Sequence, residues 1–166
     1  MPVTVRPAEP RDAPRIVAMA QALTRFEAAL VGDDGRRCKL TEAHLARYCF
    51  GAAPLIRALI AEADGQAVGY ALYYPTFDSE TATAGLWMAD LYVEPAARRA
   101  GTGRALMAAL LRAARGHDAA WIAWQVMREN EAAQAFYDRY GERDPDPVYW
   151  TYLTTLDERL ADERLA

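Results

Sequence analysis

The amino-acid sequence predicts a single α/β domain, residues 1–156, with a mixed, largely antiparallel twisted sheet flanked by helices. Two observations lead to this prediction. The apolar pattern switches between helical spacing and strand-like runs in the order β-α-α-β-β-β-α-β-α-β. Asp64-Gly65 separates two of the strand-like runs and is a typical hairpin turn. A hairpin in the middle of the chain argues against a doubly wound parallel sheet, and 166 residues suit one domain.

The first half of the chain predicts three strands and two helices. Asp12 and Thr41 are residue types that cap helix N-termini, and continuous apolar runs with β-branched residues are typical of buried strands. The predicted elements are a strand from Val3 to Pro7, a helix from Asp12 to about Leu30, a short helix from Thr41 to about Gly51, and strands over Leu55–Glu62 and Ala67–Tyr74.

The second half of the chain predicts three strands, two helices and a charged tail. Pro95 ends the first of these strands, because proline cannot donate a backbone hydrogen bond. Gly116 is expected at the C′ position of the long helix, and Asn130 is expected to cap the next helix. The predicted segments are a polar loop over 78–85, a strand from Leu86 to Val93, a helix over 101–115, a strand from Ala119 to Val126, a helix from Asn130 to Gly141, a strand from Val148 to Leu153, and a helical tail over 157–166.

The composition argues against several classes of protein. The net charge is −4 and no lysine- or arginine-rich face is evident, so no nucleic-acid partner is expected. No apolar run approaches the ~20 residues that span a bilayer, and the N-terminus lacks the apolar core of a signal peptide. We therefore expect a cytoplasmic protein with no membrane partner. Cys38 and Cys49 form neither a metal-like cluster nor a disulfide framework, and no metal is expected.

The most informative stretch joins the strand Leu86–Val93 to the helix over 101–115 through the loop Arg98-Arg99-Ala100-Gly101-Thr102-Gly103. Glycines let a backbone approach a ligand, a helix N-terminus presents free N–H groups, and arginines neutralise negative charge, so this arrangement predicts a phosphate site. A dinucleotide fingerprint would have a small residue at Leu106, and a nucleoside-triphosphate loop would have lysine directly after Gly103. From this stretch alone, an ordinary glycine-rich turn with solvated arginines is an alternative interpretation that stays open.

The strand, basic loop and helix resemble the acetyl-coenzyme A pyrophosphate loop of the GCN5-related N-acetyltransferase (GNAT) superfamily. The resemblance runs from about Val3 to Leu156 and is closest to the spermidine/spermine (diamine) N-acetyltransferase-like branch. It implies the GNAT acyl-CoA N-acyltransferase fold and acetyl-CoA as co-substrate. The other matching segments are Arg25-Phe26-Glu27, Leu40-Thr41-Glu42, Phe50-Gly51 followed by Pro54, Ala61-Glu62, Val68-Gly69-Tyr70-Ala71 with Tyr73-Tyr74, Asp90-Leu91-Tyr92-Val93, Asn130-Glu131 before Phe136-Tyr137, and Trp150.

The resemblance also implies which residues bind the coenzyme. Backbone groups of Leu91, Tyr92 and Val93 would pair with the pantetheine amides as an added strand does, and one N–H would stabilise the oxyanion. Asn130 and Ala133 would contact the coenzyme arm from the facing helix. The pyrophosphate would lie on the loop and the first helical turn, which comprise Arg98, Arg99, Ala100, Gly101, Thr102, Gly103 and Arg104.

Tyr137 is the residue that the resemblance implies for catalysis. In relatives, the tyrosine of this Asn…Phe-Tyr motif stands beside the thioester sulfur. Coenzyme A leaves as the thiolate of a thiol with a pKa of about 8.5, and a tyrosine with a pKa of about 10 can protonate it. The alternative is that Tyr137 only packs beside Phe136, as aromatic residues at helical spacing do in protein cores.

The acceptor amine must lose a proton before it attacks, because an alkyl ammonium with a pKa near 10.4 is almost fully charged at pH 7. In polyamine acetyltransferases a glutamate one residue before the Asp90 position is the base, whereas this sequence has Ala89 there. Glu27 and Asp90 are retained, and we expect them to bind the substrate. The alternatives are a solvated helix face for Glu27, and a structural or a general-base role for Asp90. Asp78 and Glu80 are further carboxylates near the expected mouth, so the general base is unassigned.

We therefore predict an acetyl-CoA-dependent N-acetyltransferase that acts on a primary amine of a small molecule by direct attack in a ternary complex. The acceptor would be a diamine, a polyamine or a lysine-like amino acid, and the resemblance implies a homodimer. Ser79, the one serine, lies outside any Gly-x-Ser-x-Gly elbow, so no acyl-enzyme is expected. Two alternatives stay open: acetylation of a protein lysine or N-terminus, and a catalytically degenerate coenzyme A-binding module.

Overall fold

The computed structural model describes residues 2–145 and 149–155, so the predicted helical tail over 157–166 lies outside the described residues. Single-turn 3-10 helices occur at Pro10–Asp12 and Pro95–Ala97. The longer described elements are β1 (Val3–Pro7), α1 (Ala13–Val31), α2 (Glu42–Tyr48), β2 (Arg57–Ala63), β3 (Gln66–Asp78), β4 (Thr83–Val93), α3 (Thr102–Gly116), β5 (Trp121–Met127), α4 (Glu131–Tyr137), β6 (Glu142–Pro145) and β7 (Tyr149–Thr155).

The described strands form one sheet in the order β1-β2-β3-β4-β5-β7-β6. β4 and β5 pair in parallel, and every other described pair of neighbours is antiparallel. The mixed, largely antiparallel sheet is therefore as predicted. β6 was not predicted, because the interruption of the apolar pattern by Glu142-Arg143-Asp144 gives no strand signal.

The hairpin between β2 and β3 has the predicted turn, with positive φ at both Asp64 (50°) and Gly65 (74°). The next connection differs from the prediction of a polar loop over 78–85. β3 continues to Asp78 and β4 already begins at Thr83, and these two residues pair in the ladder. Asp78 closes the short turn by accepting hydrogen bonds from Glu80 N and Thr81 Oγ1, both at 2.8 Å. Backbone pairing and the hydrogen bonds to Asp78 therefore extend the hairpin of β3 and β4 into a segment whose side chains have no apolar alternation.

Two of the predicted N-caps make the expected side-chain bonds: Thr41 Oγ1 accepts from His44 N (3.3 Å) and Asn130 Oδ1 accepts from Ala133 N (3.1 Å). Asp12 does precede α1, but its carboxylate binds Arg6 (2.7 and 2.9 Å) and Glu9 N (2.7 Å) instead of the α1 backbone. The prediction for Gly116 was wrong. It is the last residue of α3, and the positive φ of 50° belongs to Asp118, which can adopt this conformation.

The sheet has a hydrophobic core on each face. One core packs α1 and α2 against the sheet and includes Ile16, Met19, Leu45, Ile60, Tyr70, Leu72 and Tyr92. The other packs α3 and α4 against the opposite face and includes Tyr73, Leu86, Met88, Leu106, Leu110, Trp124 and Tyr137. In the described part of the chain, no helix is both long and apolar enough to cross a membrane.

Candidate active site

β4 and β5 separate toward the C-terminal end of β4. β4 pairs with β3 as far as Val93, which lies opposite Gly69. With β5, however, it pairs only over 85–88, opposite residues 121–124. Because alternate N–H and C=O groups of a strand point to opposite sides, the last residues of β4 present polar groups toward the gap beside β5. The gap is therefore open to an extended ligand that pairs with Leu91–Val93 as another strand would.

A β-bulge at Ala89 changes the direction of the side chains in the same segment. Met88 lies opposite Tyr73 and Asp90 lies opposite Leu72, so Ala89 is the extra residue. Before the bulge, Met88 joins Tyr73 in the core beneath α3 and α4. After it, Asp90 shares the α1 face of the sheet with Leu72, its neighbour on β3. The bulge therefore turns Asp90 toward α1 and leaves the side chain of Ala89 exposed.

A cleft of about 970 Å³ lies where α1, the end of β4, the N-terminus of α3 and α4 meet, and its volume is that of a ligand site. Eleven of the residues predicted to act on the coenzyme or in catalysis line it: Leu91, Tyr92, Val93, Arg98, Arg99, Gly101, Gly103, Arg104, Asn130, Ala133 and Tyr137. Four others do not line it: Glu27, Asp90, Ala100 and Thr102.

The loop before α3 ends in a left-handed turn, with Arg99 at φ 61° and Gly101 at φ 87°. Gly101 is the N-cap of α3 and has no side chain to cap the helix, and the first bond back to it is donated by Ala105 N (2.9 Å). The amides over 102–104 therefore have no partner within the helix, and they carry its positive dipole. Free amides with Arg99 and Arg104 beside them fit the charge of a pyrophosphate.

Two residues of this loop and turn have structural roles. Thr102 is buried, and its hydroxyl donates to Ala97 O (2.9 Å), which fixes the loop. Gly103 allows close packing of α3 and α4, because a Cβ at this position would lie 3.2 Å from the ζ carbon of Phe136. The sequence predicted both as pyrophosphate ligands, but the Thr102 hydroxyl is already bonded to Ala97 O and Gly103 has no side chain, so only backbone amides remain for that prediction.

Arg98 lines the cleft while its own side chain is held by the protein. Its Nε donates to Val93 O (3.0 Å), and its guanidinium lies 5.5 Å from the ring centroid of Phe26 and 6.0 Å from that of Tyr92. These distances are within the range of cation–π contacts. Arg98 thus ties the loop to the end of β4 and to α1, and sets the shape of the cleft at their junction.

Tyr137, at the end of α4, is 7% exposed and lines the cleft. Its ring lies 5.2 Å from that of Trp124 and 5.1 Å from that of Phe136, centroid to centroid. The two interpretations of the sequence are therefore compatible, since Tyr137 packs in the core and also reaches the cleft.

Glu27 and Asp90 lie at the α1 side of the cleft, each next to a lining residue, Phe26 and Leu91 respectively. Burial raises the pKa of Asp90, and the Tyr70 hydroxyl, which donates to Asp90 Oδ2 (2.8 Å), acts in the opposite direction. Burial also raises the pKa of Glu27, as does the charge of Asp90, while Arg36, 3.1 Å away, lowers it. Two carboxylates in this setting suit an ammonium ion.

Asp78 and Glu80 do not approach this site. Asp78 lies opposite Thr83, the first residue of β4. Thr83 precedes Asp90 by seven residues along this strand. At about 3.3 Å per strand residue, that separation is roughly 23 Å. The suggestion that these carboxylates reach the mouth was therefore wrong. Among the residues that the structure describes, no group of three or more His, Cys, Asp and Glu side chains is placed to hold a metal ion.

Sequence reasoning missed several residues that line the cleft, namely Leu23, Phe26, Arg139 and Tyr140. The first two belong to the apolar face of α1, where a helical pattern alone predicts core packing. Burial raises the pKa of Tyr140, and Arg104 and Arg139 are close enough to oppose that shift. The two arginines thus add positive charge beside Tyr140. Because they are 35 positions apart in the sequence, no local motif indicates that they lie close together.

The acetyltransferase (GNAT) family description matches residues 17–141 of this sequence. The chain belongs to the GNAT acetyltransferase family. The match begins within α1 and continues through α4, and it includes the loop at 98–103 and every lining residue of the cleft. The family predicted from that loop and from the Asn130…Tyr137 motif is thereby confirmed.

Two curated relatives of this GNAT chain are named as N-acetyltransferases. The chain is 32% identical over 147 residues to human spermidine/spermine N(1)-acetyltransferase-like protein 1, across 84% of this chain and 20% of that protein. It is 33% identical over 93 residues to the Bacillus subtilis uncharacterized N-acetyltransferase YhfO, across 55% of this chain and 62% of that protein. The chain thus spans less than two thirds of either relative.

Solved structures of acetyltransferases share the fold. An acetyltransferase from Thermus thermophilus matches with a TM-score of 0.68 at 21% identity, over 93% of this chain and 97% of that one. An aminoglycoside acetyltransferase from an uncultured soil metagenomic sample matches with a TM-score of 0.69 at 23% identity, over 88% and 95%. At these identities the similarity establishes the fold, and the predicted GNAT fold is confirmed.

Proposed function

We propose that this GNAT domain transfers the acetyl group of acetyl-CoA to a primary amine of a small molecule, by direct attack in a ternary complex. One observation carries the proposal. A single cleft joins the unpaired edge of β4, the free amides at the N-terminus of α3, and Tyr137. These three parts suit, respectively, an extended polar arm, a pyrophosphate, and a leaving group that needs a proton.

The protein's part in binding acetyl-CoA, which supplies the thioester, follows from this geometry. The backbone of Leu91–Val93 would accept and donate hydrogen bonds to the pantetheine amides, and an N–H of this segment would stabilise the oxyanion. The amides over 102–104, with Arg99 and Arg104, would hold the pyrophosphate. Asn130 and Ala133 would contact the arm from α4, as both line the cleft.

Tyr137 is the proposed general acid, which protonates the departing thiolate. A phenol donates to a thiolate without itself being ionised at neutral pH. Direct attack is supported by the composition of the cleft, since the described residues that line it include no serine, threonine, cysteine or lysine that would form an acyl-enzyme.

The acceptor is proposed to be a diamine, a polyamine or a lysine-like amino acid. Glu27 and Asp90 supply negative charge at the α1 edge of the cleft, which favours an ammonium ion over an anionic substrate. The human relative's name supports an amine of this class. The homodimer and the cytoplasmic location stay predictions, and equilibrium sedimentation of the purified protein tests the first.

Release of coenzyme A thiol, measured over a panel of putrescine, spermidine, lysine and short peptides, tests this function. We expect amine-dependent release with one or more small amines, and little release with the peptides. Turnover confined to the peptides would indicate that the acceptor is a protein amine and not a small molecule. Tight acetyl-CoA binding with no turnover on any member of the panel would instead indicate a coenzyme-binding module.

A further inference from the structure

We propose that Asp90, positioned by Tyr70, is the catalytic base that takes the proton from the acceptor ammonium. This inference rests on the proposed function and assigns the residue that the sequence left open. It departs from the resemblance, which places the base one residue earlier, where this chain has the methyl group of Ala89.

The bulge at Ala89 provides the first part of the argument. In a regular strand with no bulge, Asp90 would lie two residues after Met88 and share its face, in the core under α3, where an apolar neighbourhood would leave a carboxylate unpaired. The bulge instead brings it to the α1 face, directly before Leu91, which is a lining residue of the cleft. The carboxylate that precedes the coenzyme-binding edge of β4 is thereby turned to the acceptor side.

Tyr70 provides the second part. Its ring is fully buried, and its hydroxyl donates to Asp90 Oδ2 over 2.8 Å. Burial, the Asp90 charge and this hydrogen bond all raise the pKa of Tyr70, so the phenol stays protonated and remains a donor. In the described part of the chain, Oδ1 of Asp90 has no hydrogen-bond donor, so one oxygen is held and the other is left for a ligand.

The charged and titratable groups around Asp90 come from three directions. Tyr70 approaches from β3 and Glu27 from α1, while Arg36 and Cys38, from the segment after α1, act on Glu27 and on Tyr70 respectively. Glu27 is paired with Arg36 (3.1 Å), so its charge is already partly neutralised. Asp90 has no arginine or lysine partner among the described residues. Burial raises the pKa of both carboxyls, but in the part of the chain that the structure describes only Asp90 is without a cationic partner, so it is the carboxylate left to accept a proton.

The proton transfer balances as follows. An N–H bond of the ammonium breaks and an Asp90 O–H bond forms, so the nitrogen lone pair is free to form the C–N bond. The thioester C–S bond breaks and its electron pair goes to sulfur. The amide nitrogen loses a second proton, and the thiolate takes up one. Asp90 returns the first proton to solvent, so one proton is released for each acetyl group transferred.

Asp90→Asn tests this role with a pair of acceptors. The amide is isosteric and can still accept from Tyr70, so the fold is preserved, and a thermal melt and acetyl-CoA affinity confirm it. For an alkyl amine that is charged at pH 7, we expect kcat/KM to fall at least roughly a hundredfold, which is typical of a lost general base. For an amine of similar size that is neutral at pH 7, such as an alkyl hydrazide, we expect a loss of less than about threefold, because no proton needs to be removed first.

Tyr70→Phe tests the positioning role through the pH profile. Its hydroxyl stabilises the Asp90 carboxylate, so its removal raises the pKa of Asp90 further and moves the acidic limb of kcat/KM to higher pH. Tyr73→Phe is the matched control, since it removes a buried hydroxyl of the same strand from the opposite face of the sheet. We expect its acidic limb to coincide with that of the wild type.

Other outcomes overturn the proposal. If Asp90→Asn raises KM for both amines equally and leaves kcat unchanged, Asp90 only binds the substrate, and the acetyltransferase function stands. If Tyr70→Phe has the wild-type acidic limb, the essential base is another group. If the wild-type protein binds acetyl-CoA but releases no thiol with any amine, the proposed function and this inference fail together.

Discussion

Gly101 provides a quantitative test of the pyrophosphate loop. Gly101 has a φ of 87° and a Cβ placed there would meet nothing within 4 Å, so a side chain is strained but does not clash. The left-handed conformation destabilises an L-residue by about 1–2 kcal/mol. In a domain of this size that corresponds to a fall in melting temperature of about 2–8 °C. Gly101→Glu should therefore fold.

The same substitution places a negative charge at the site proposed for the pyrophosphate. A unit charge about 6 Å from another at an effective dielectric constant of 20 contributes roughly 3 kcal/mol of repulsion. The acetyl-CoA dissociation constant, measured by isothermal titration calorimetry, should therefore rise at least about a hundredfold. Higher salt should recover part of the loss, because screening weakens exposed charge pairs.

Gly65→Glu is the matched control for this experiment. Gly65 also has a positive φ (74°) with nothing within 4 Å of its Cβ, but it lies in the hairpin between β2 and β3 and does not line the cleft. We expect a similar loss of melting temperature and a wild-type dissociation constant. If the two variants bind acetyl-CoA equally well, the loop at 98–103 does not hold the pyrophosphate and the reasoning is refuted.

Three further substitutions test the general acid, an ion pair and a buried hydroxyl. Tyr137→Phe should lower kcat by roughly ten- to a thousandfold and leave the acetyl-CoA dissociation constant unchanged; an unchanged kcat in a steady-state assay would remove Tyr137 from the mechanism. Asp12→Asn weakens the ion pair that lowers the pKa of this carboxyl, mainly through hydrogen bonds from Arg6. At pH 7 the free energy of unfolding of the wild type should therefore exceed that of the variant by about 1–3 kcal/mol. This difference should be present above about pH 4 and disappear as the pH falls below it. A difference that persists in urea titrations at about pH 2 would contradict this. Thr102→Val removes the bond to Ala97 O and should reduce the unfolding free energy by about 1–3 kcal/mol in the same titrations; no loss would show that the bond does not hold the loop.

Local signals in the sequence predicted much of the fold. Asn130 and Thr41 cap their helices because a short oxygen-bearing side chain can bond the amide three residues later, a property that depends on neighbours in the chain alone. Asp64-Gly65 forms its turn for the same kind of reason. The loop over 98–103 was recognised because its glycines and arginines are contiguous.

The rest of the candidate site depends on contacts between distant parts of the chain. The bulge at Ala89 appears only in the register of β4 against β3, and no residue type marks it. The hydrogen bond between Tyr70 and Asp90 joins residues 20 positions apart, so neither residue's local sequence indicates it. The apolar spacing of α1 alone indicates core packing for Phe26, whereas Phe26 lines the cleft and its ring centroid lies 5.5 Å from the guanidinium of Arg98. The local sequence therefore indicated the loop before α3 more clearly than the contacts at the α1 side of the cleft.

A crystal structure of the complex with coenzyme A tests the central claim most directly. We expect the pantetheine arm between β4 and β5, hydrogen-bonded to the backbone of Leu91–Val93, and the pyrophosphate on the amides over 102–104. The sulfur should lie within hydrogen-bond distance of the Tyr137 hydroxyl. A coenzyme bound outside the gap between β4 and β5, or with its sulfur remote from Tyr137, would contradict the proposed site and its chemistry.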